Sequence, residues 1–131
     1  MKRVVLISIA ILFLCSLMVH AADLKSTKIA VASSGKTEKA SVSNRAARCP
    51  YYLIFDSKGE LIGAVDNAYA DARGGAGPSA ANFLAKTGVT MIIAESFGSK
   101  MTNALKNNGI TPFGFKGSVA DAVKMALERR Q

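Results

Sequence analysis

Histidine and cysteine are nearly absent from this chain: one His, at position 20, and two Cys, at 15 and 49, among 131 residues. Two of those three fall in an N-terminal stretch with the form of a secretory signal. Met1, Lys2 and Arg3 make a positive start, residues 4–19 are a continuous, mostly aliphatic run, and Val19 and Ala21 are the small residues a signal peptidase reads. The run is shorter than the roughly 20 residues of a spanning helix. A cleaved signal over residues 1–21 is therefore expected, with an uncleaved anchor as the alternative and the only route to a membrane. Leu14 is too bulky to precede a lipid-modified Cys15, and Lys2-Arg3 is not a twin-arginine signal. Either outcome makes residues 22–131 periplasmic or secreted.

Once residues 1–21 are set aside, no His remains and Cys49 is the single thiol. A Ser-His-Asp or Cys-His mechanism is excluded, and so is a His-containing zinc site. An internal disulfide is excluded as well, which leaves Cys49 as a ligand, a redox-reactive group, an intermolecular partner or a small buried residue. Acidic residues are also few: 9 Asp and Glu face 15 Lys and Arg in residues 22–131, a net charge of +6. The cations are spread along the chain, so nucleic-acid binding is not expected. Internal repeats and low-complexity tracts are missing too, and the length suits one domain, residues 22–131, with one core.

What is present alternates between strand and helix patterns. Residues 28–32 read as a short buried strand, and residues 33–47, rich in Ser and Lys, as a long loop that is either functional or mobile. Residues 51–56 and 61–65 flank a tight turn at 57–60 and make an antiparallel hairpin. Beyond Asp66 the composition shifts to Ala, Asp and Gly, and Pro78 opens a helical pattern that stops at Gly88. A very apolar strand at 89–94, a helix at 99–108, a strand at 110–113 and a helix behind the capping sequence at Ser118 complete the order. A leading hairpin followed by alternating helices and strands predicts an α/β fold. Its sheet has five strands, the later ones parallel, and is packed by three helices.

Several motifs have two readings. Ser33-Ser34-Gly35-Lys36-Thr37 imitates the end of a phosphate-binding P-loop, but the motif's first glycine would fall on Ala30 inside a strand and no helix pattern follows Thr37. Gly75-Ala76-Gly77-Pro78-Ser79-Ala80 formally matches a dinucleotide fingerprint, yet it begins ten positions beyond Val65 where a tight turn is required. What survives is a glycine-rich approach to a helix start behind Arg73. This is an anion site in principle, or simply a loop turning tightly against the sheet. Arg45 and Arg48 close to Cys49 favour a thiolate, the form that binds soft metals, unless the thiol is tucked under the sheet. Asp56, Asp66, Asp71 and Glu95 form either a metal-dependent hydrolase cluster or a set of solvent-facing strand ends.

A set of segments spaced along the domain carries a resemblance. They are residues 28–33, Val42-Ser43, Arg48-Cys49-Pro50-Tyr51-Tyr52-Leu53-Ile54, Gly75-Ala76-Gly77-Pro78 with Leu84, Gly88-Val89 with Ile92-Ile93-Ala94, and Ala104-Leu105 before Gly109-Ile110. Together they resemble the dinitrogenase iron-molybdenum cofactor biosynthesis family, small domains related to the cofactor carriers of nitrogenase assembly, over residues 28–127. The resemblance implies a ribonuclease-H-like α/β fold without nuclease activity and, for some members, non-enzymatic binding of an anionic molybdenum-containing cluster. The family pattern usually has a His followed by Phe-Gly between Val-Ser and the Arg before Pro, and often a second His before Gly-Ala-Gly. Here Arg45, Ala46 and Ala47 occupy the first stretch and Gly74 the second.

The sequence thus points to an exported, non-catalytic domain that binds a small anionic metal-sulfur cluster, molybdenum with iron or copper, or a related anion. Ser33, Arg45, Arg48, Arg73, Gly75, Ala76 and Gly77 are the expected ligand-binding residues, and Cys49 the expected soft metal ligand. The alternative is an envelope protein-interaction or sensory module that has kept the fold and lost the ligand.

Overall fold

In the computed structural model residues 27–130 are described, and the stretch read as a secretory signal lies outside them. Eight elements follow one another: β1 (Ile29–Ser33), β2 (Tyr51–Phe55), β3 (Leu61–Asp66), α1 (Ala76–Lys86), β4 (Met91–Ala94), α2 (Ser99–Asn107), β5 (Thr111–Gly114) and α3 (Val119–Glu128). They form one sheet in the order β3-β2-β1-β4-β5. The β1–β2 and β2–β3 pairs are antiparallel, and β1–β4 and β4–β5 are parallel. The expected mixed five-stranded α/β sheet with three helices is what the described residues form.

β1 is buried along its whole length because both faces of the sheet are covered there. Ala30 and Ala32 face the layer built by α1 and α2, where Ala80, Ala81, Leu84, Met101 and Leu105 complete the core. Ile29 and Val31 face the opposite layer, where α3 brings Val119, Ala122, Val123 and Ala126. Alternation of small and large side chains along one strand thus serves two helices on one side and one on the other. The two largest fully buried side chains among the described residues, Tyr52 and Phe55, both come from β2. Each aliphatic or aromatic group of this kind contributes roughly 1.5–3 kcal/mol relative to an exposed one.

Two expectations are corrected. α1 begins at Ala76, two residues before Pro78; proline is tolerated there because first-turn N–H groups have no intrahelical acceptor. The segment after β1, expected to be without structure, is stitched down. Val42 pairs with Ser33, the Ser43 N–H donates to the Ala32 carbonyl at 2.7 Å, and Arg45 lies parallel to Ser96. The Glu95 N–H donates to the Ser43 carbonyl (3.0 Å) and the Ala46 N–H to that of Ser96 (3.1 Å). Beyond the end of β1, this returning segment therefore takes over as the parallel partner of the chain leaving β4.

Candidate functional site

β1 is the point where the strand order reverses: the chain goes to β2 on one side and returns to β4 on the other. In open α/β sheets the crevice beyond the carboxyl ends of such strands is the usual ligand site. Here it is a cleft of about 510 Å³. Three segments line it: residues 45–48 of the loop after β1, residues 74–78 opening α1, and residues 96–98 with Lys100 and Met101 opening α2. Every charged side chain in this lining, Arg45, Arg48 and Lys100, is a cation.

Both helices present their N-termini to the cleft without a cap. α1 starts behind Gly75 and α2 behind Gly98; neither glycine supplies a capping side chain and neither helix has an acidic residue in its first turn. First-turn N–H groups and the positive end of the helix dipole are thereby left to whatever enters. Gly75 has φ 70°, a left-handed conformation that side chains resist. Gly77 answers a different need, since a Cβ there would lie 2.9 Å from the Cβ and 3.1 Å from the backbone nitrogen of Met101. Only glycine lets the two helix starts approach this closely.

A hydrogen-bond network holds the inner wall in place. The Tyr52 hydroxyl donates to the Ala46 carbonyl (2.6 Å), and the Asn67 side-chain amide donates to the carbonyls of Ala47 (2.8 Å) and Cys49 (2.9 Å). The Ser96 hydroxyl donates to the Asn44 carbonyl. On the outside, the Arg48 guanidinium donates to the Ala70 and Ala72 carbonyls at 3.2 and 2.7 Å, tying the loop to the segment before α1.

Residues 27–129 match the family described as "Dinitrogenase iron-molybdenum cofactor". The chain belongs to this family. Among solved structures it is similar to the NMR structure of a proposed NifB protein from Thermotoga, with 34% identity, 79% of this chain and 90% of the other covered, and a TM-score of 0.68. It is also similar to the apo form of the orange protein from Desulfovibrio gigas, with 30% identity, coverage of 79% and 89%, and a TM-score of 0.74. A proposed dinitrogenase from Methanocaldococcus jannaschii, 18% identical over 81% of this chain and 92% of that one, shares the fold at a TM-score of 0.56. No curated protein matches.

Within this family fold, five of the eight expected site residues line the cleft: Arg45, Arg48, Gly75, Ala76 and Gly77. So do residues 45–47 and Gly74, which occupy the stretches where the family resemblance places His. Three expected residues do not line it. Ser33 is fully buried at the end of β1, where its hydroxyl donates to the Gly35 carbonyl (2.7 Å) and accepts the Gly35 N–H (3.2 Å), closing a local turn. Arg73 is exposed and lies just outside the lining.

Cys49 is the substantive correction. The expected thiolate needs cations nearby, but the side chain is fully buried behind the cleft wall while Arg45 and Arg48 are exposed. Burial pushes the thiol from 9.0 up to about 11; it donates to the Ala46 carbonyl at 3.7 Å and accepts from the Asn67 side-chain amide at 3.9 Å. It is a protonated core group, not a soft ligand facing the cleft. Burial likewise raises the Tyr52 phenol above its ordinary range.

The remaining motifs resolve in the same way. Thr37 is followed by a turn with no helix behind it. One oxygen of Asp56 accepts the backbone N–H groups of Lys58 and Glu60, both at 2.9 Å, and so shapes the hairpin turn. Among the described residues no three of His, Cys, Asp and Glu gather as a metal site. Sequence reading missed Lys100, Ser96 and Gly98. The available signal was the one used at Gly77-Pro78, a glycine ahead of a helical pattern, repeated at Gly98-Ser99-Lys100.

Proposed function

We propose that this protein is an exported, non-catalytic binding domain whose cleft holds a small anionic metal-sulfur cluster, molybdenum with iron or copper, or a related anion. The observation that carries the reading is the convergence of Arg45, Arg48, Lys100 and two uncapped helix starts on one cleft lined by no carboxylate. Charge and N–H donors select an anion and fix its orientation. With no His and no accessible thiol among the described residues of the lining, the cargo is held by hydrogen bonds and charge, not by bonds from the protein to a metal. Membership in a cofactor-related family supports this reading. So does similarity to a protein whose structure is described as an apo form, a term that implies a loaded one.

Anaerobic reconstitution with molybdate, sulfide and either copper or iron, followed by desalting and metal analysis, tests the proposal. Retained molybdenum that survives Cys49→Ser and is lost on reversing Arg45 and Lys100 to Glu is the expected result. Absence of bound metal from the wild type overturns it. Export is tested separately by N-terminal sequencing of protein recovered from the cell envelope; an N-terminus at Ala22 is expected.

The alternative, an envelope protein-interaction or sensory module, has one observation in its favour. Leu61 and Ile62, 37% and 53% exposed, sit side by side on the edge strand β3. Envelope pull-down with wild type and Ile62→Lys separates the two readings: a partner lost with Ile62, from protein that binds no anion, selects the module.

A further inference from the structure

Asn67 and Ser33 are the polar side chains buried among the described residues. Ser33 serves only the turn beside it, whereas Asn67 reaches across twenty residues of sequence. Both hydrogens of its amide are committed, to the Ala47 carbonyl at 2.8 Å and the Cys49 carbonyl at 2.9 Å. Its side-chain oxygen accepts the Tyr69 N–H at 3.0 Å, and its own N–H donates to the Pro50 carbonyl at 3.0 Å.

The oxygen contact starts a local turn in which the Ala70 N–H returns to the Asn67 carbonyl and the Ala72 N–H to that of Tyr69. The carbonyls of Ala70 and Ala72 are then the acceptors for Arg48, which lies in the same loop that Asn67 holds from beneath. This is a closed circuit. Asn67 grips the 47–49 backbone from inside, builds the turn that follows, and that turn grips Arg48 from outside. One limb of the circuit carries the cationic wall of the cleft, and the other runs directly into Gly74 and the start of α1.

We propose that Asn67 is the positioning residue of the cleft, setting the separation between the Arg45–Arg48 wall and the glycine turn before α1 without touching the ligand. The ligand part of this inference rests on the anion-binding reading above; the positional part does not. Chemistry makes the residue type specific. An amide offers two donors and one acceptor in a fixed plane, matching two carbonyls and one N–H, whereas the isosteric aspartate would set a carboxylate oxygen against two carbonyl oxygens. Replacement by Asp therefore opens the circuit at pH 8 and partly restores it at pH 5, where a carboxyl raised by burial regains one O–H donor.

The test compares Asn67→Asp with Ser33→Ala in protein expressed from the full-length sequence. Amide hydrogen exchange, corrected for intrinsic rates, is the first readout and tetrathiomolybdate titration at pH 8 the second. Asn67→Asp is expected to raise exchange in residues 44–49 and 67–73 by about tenfold at pH 8 but much less at pH 5, leave α3 unchanged, and weaken tetrathiomolybdate binding about tenfold. Ser33→Ala is expected to change neither exchange in those segments nor affinity.

Unchanged exchange in 44–49 of folded Asn67→Asp, or an equal effect from Ser33→Ala, overturns the proposal. If Asn67→Asp does not fold, Arg48→Met breaks the exposed limb instead; exchange at 70–74 should rise, and an unchanged rate there overturns the proposal as well. A wild type that takes no tetrathiomolybdate refutes the ligand reading alone, since exchange still decides the role of Asn67.

Discussion

The start of α3 and the starts of α1 and α2 solve the same local problem in opposite ways. At α3 the Ser118 hydroxyl accepts the Asp121 N–H at 3.2 Å, and Asp121 places a negative charge in the first turn. At α1 and α2 the residue before the helix is glycine and the first turn has no acid. A capping side chain is commonly worth about 1 kcal/mol, so two of the three helices among the described residues forgo a stabilisation that the third uses. Those two open into the cationic cleft, whereas α3 packs on the far face of the sheet, against β1. The contrast teaches that the bare helix starts belong to the cleft and are not a general habit of the chain.

The most damaging way to break the comparison is to push the open ends apart. Gly77→Val places a side chain against Met101 and is expected to cost about 1–3 kcal/mol in chemical denaturation and to abolish anion uptake. Reversing the cations comes next: Arg45→Glu with Lys100→Glu should lower tetrathiomolybdate affinity about 100-fold while the denaturation midpoint moves by less than about 0.5 kcal/mol.

A cap can then be transplanted. Gly98 has φ −69° and ψ 153°, the ordinary cap conformation, and nothing lies within 4 Å of a Cβ built there. Gly98→Asp should stabilise the fold by a few tenths of a kcal/mol and weaken anion binding about tenfold, because its carboxylate occupies the N–H groups. The converse change, Ser118→Ala, should cost about 1 kcal/mol and leave affinity untouched. Calorimetric unfolding together with ligand titration reads both.

At neutral pH the smallest effect concerns Cys49. Its folded-state pKa of about 11 lies above the ordinary 9.0, so the native state holds the proton more tightly and stability should fall as pH rises from about 9 to 11. Cys49→Ser removes the thiol's part of that slope and leaves the part above about pH 10 that comes from the buried Tyr52 phenol. Alkylation of the native thiol at pH 8 should be slow compared with that of the unfolded chain; a fast reaction would return Cys49 to the list of accessible ligands.

Much of this architecture was legible in the residues. The alternation of Ile29, Ala30, Val31 and Ala32, the aromatic run at 51–55 and the Ser118 capping pattern each act over a few neighbours, so their outcome is local and readable. Glycines at 75 and 77 were legible as a helix approach, but the reason for Gly77 was not, because Met101 lies 24 residues away in sequence. Cys49 was misread for the same reason. Two arginines within four residues of the thiol suggest a stabilised thiolate, yet the fold leaves the arginines exposed and the thiol buried, and desolvation outweighs charges that remain in water.

The sequence by itself determined the scarcity that shapes this protein: no His and one thiol after residue 21, few acids, and strand and helix patterns in an order that only a mixed sheet accommodates. Tertiary structure decided where that scarcity matters. It brought Arg45, Lys100 and two bare helix starts from three separate segments to one crevice and placed Asn67 beneath it. Charge and hydrogen bonding act through distances of a few ångströms in space, and those distances exist only once β1 lies between β2 and β4.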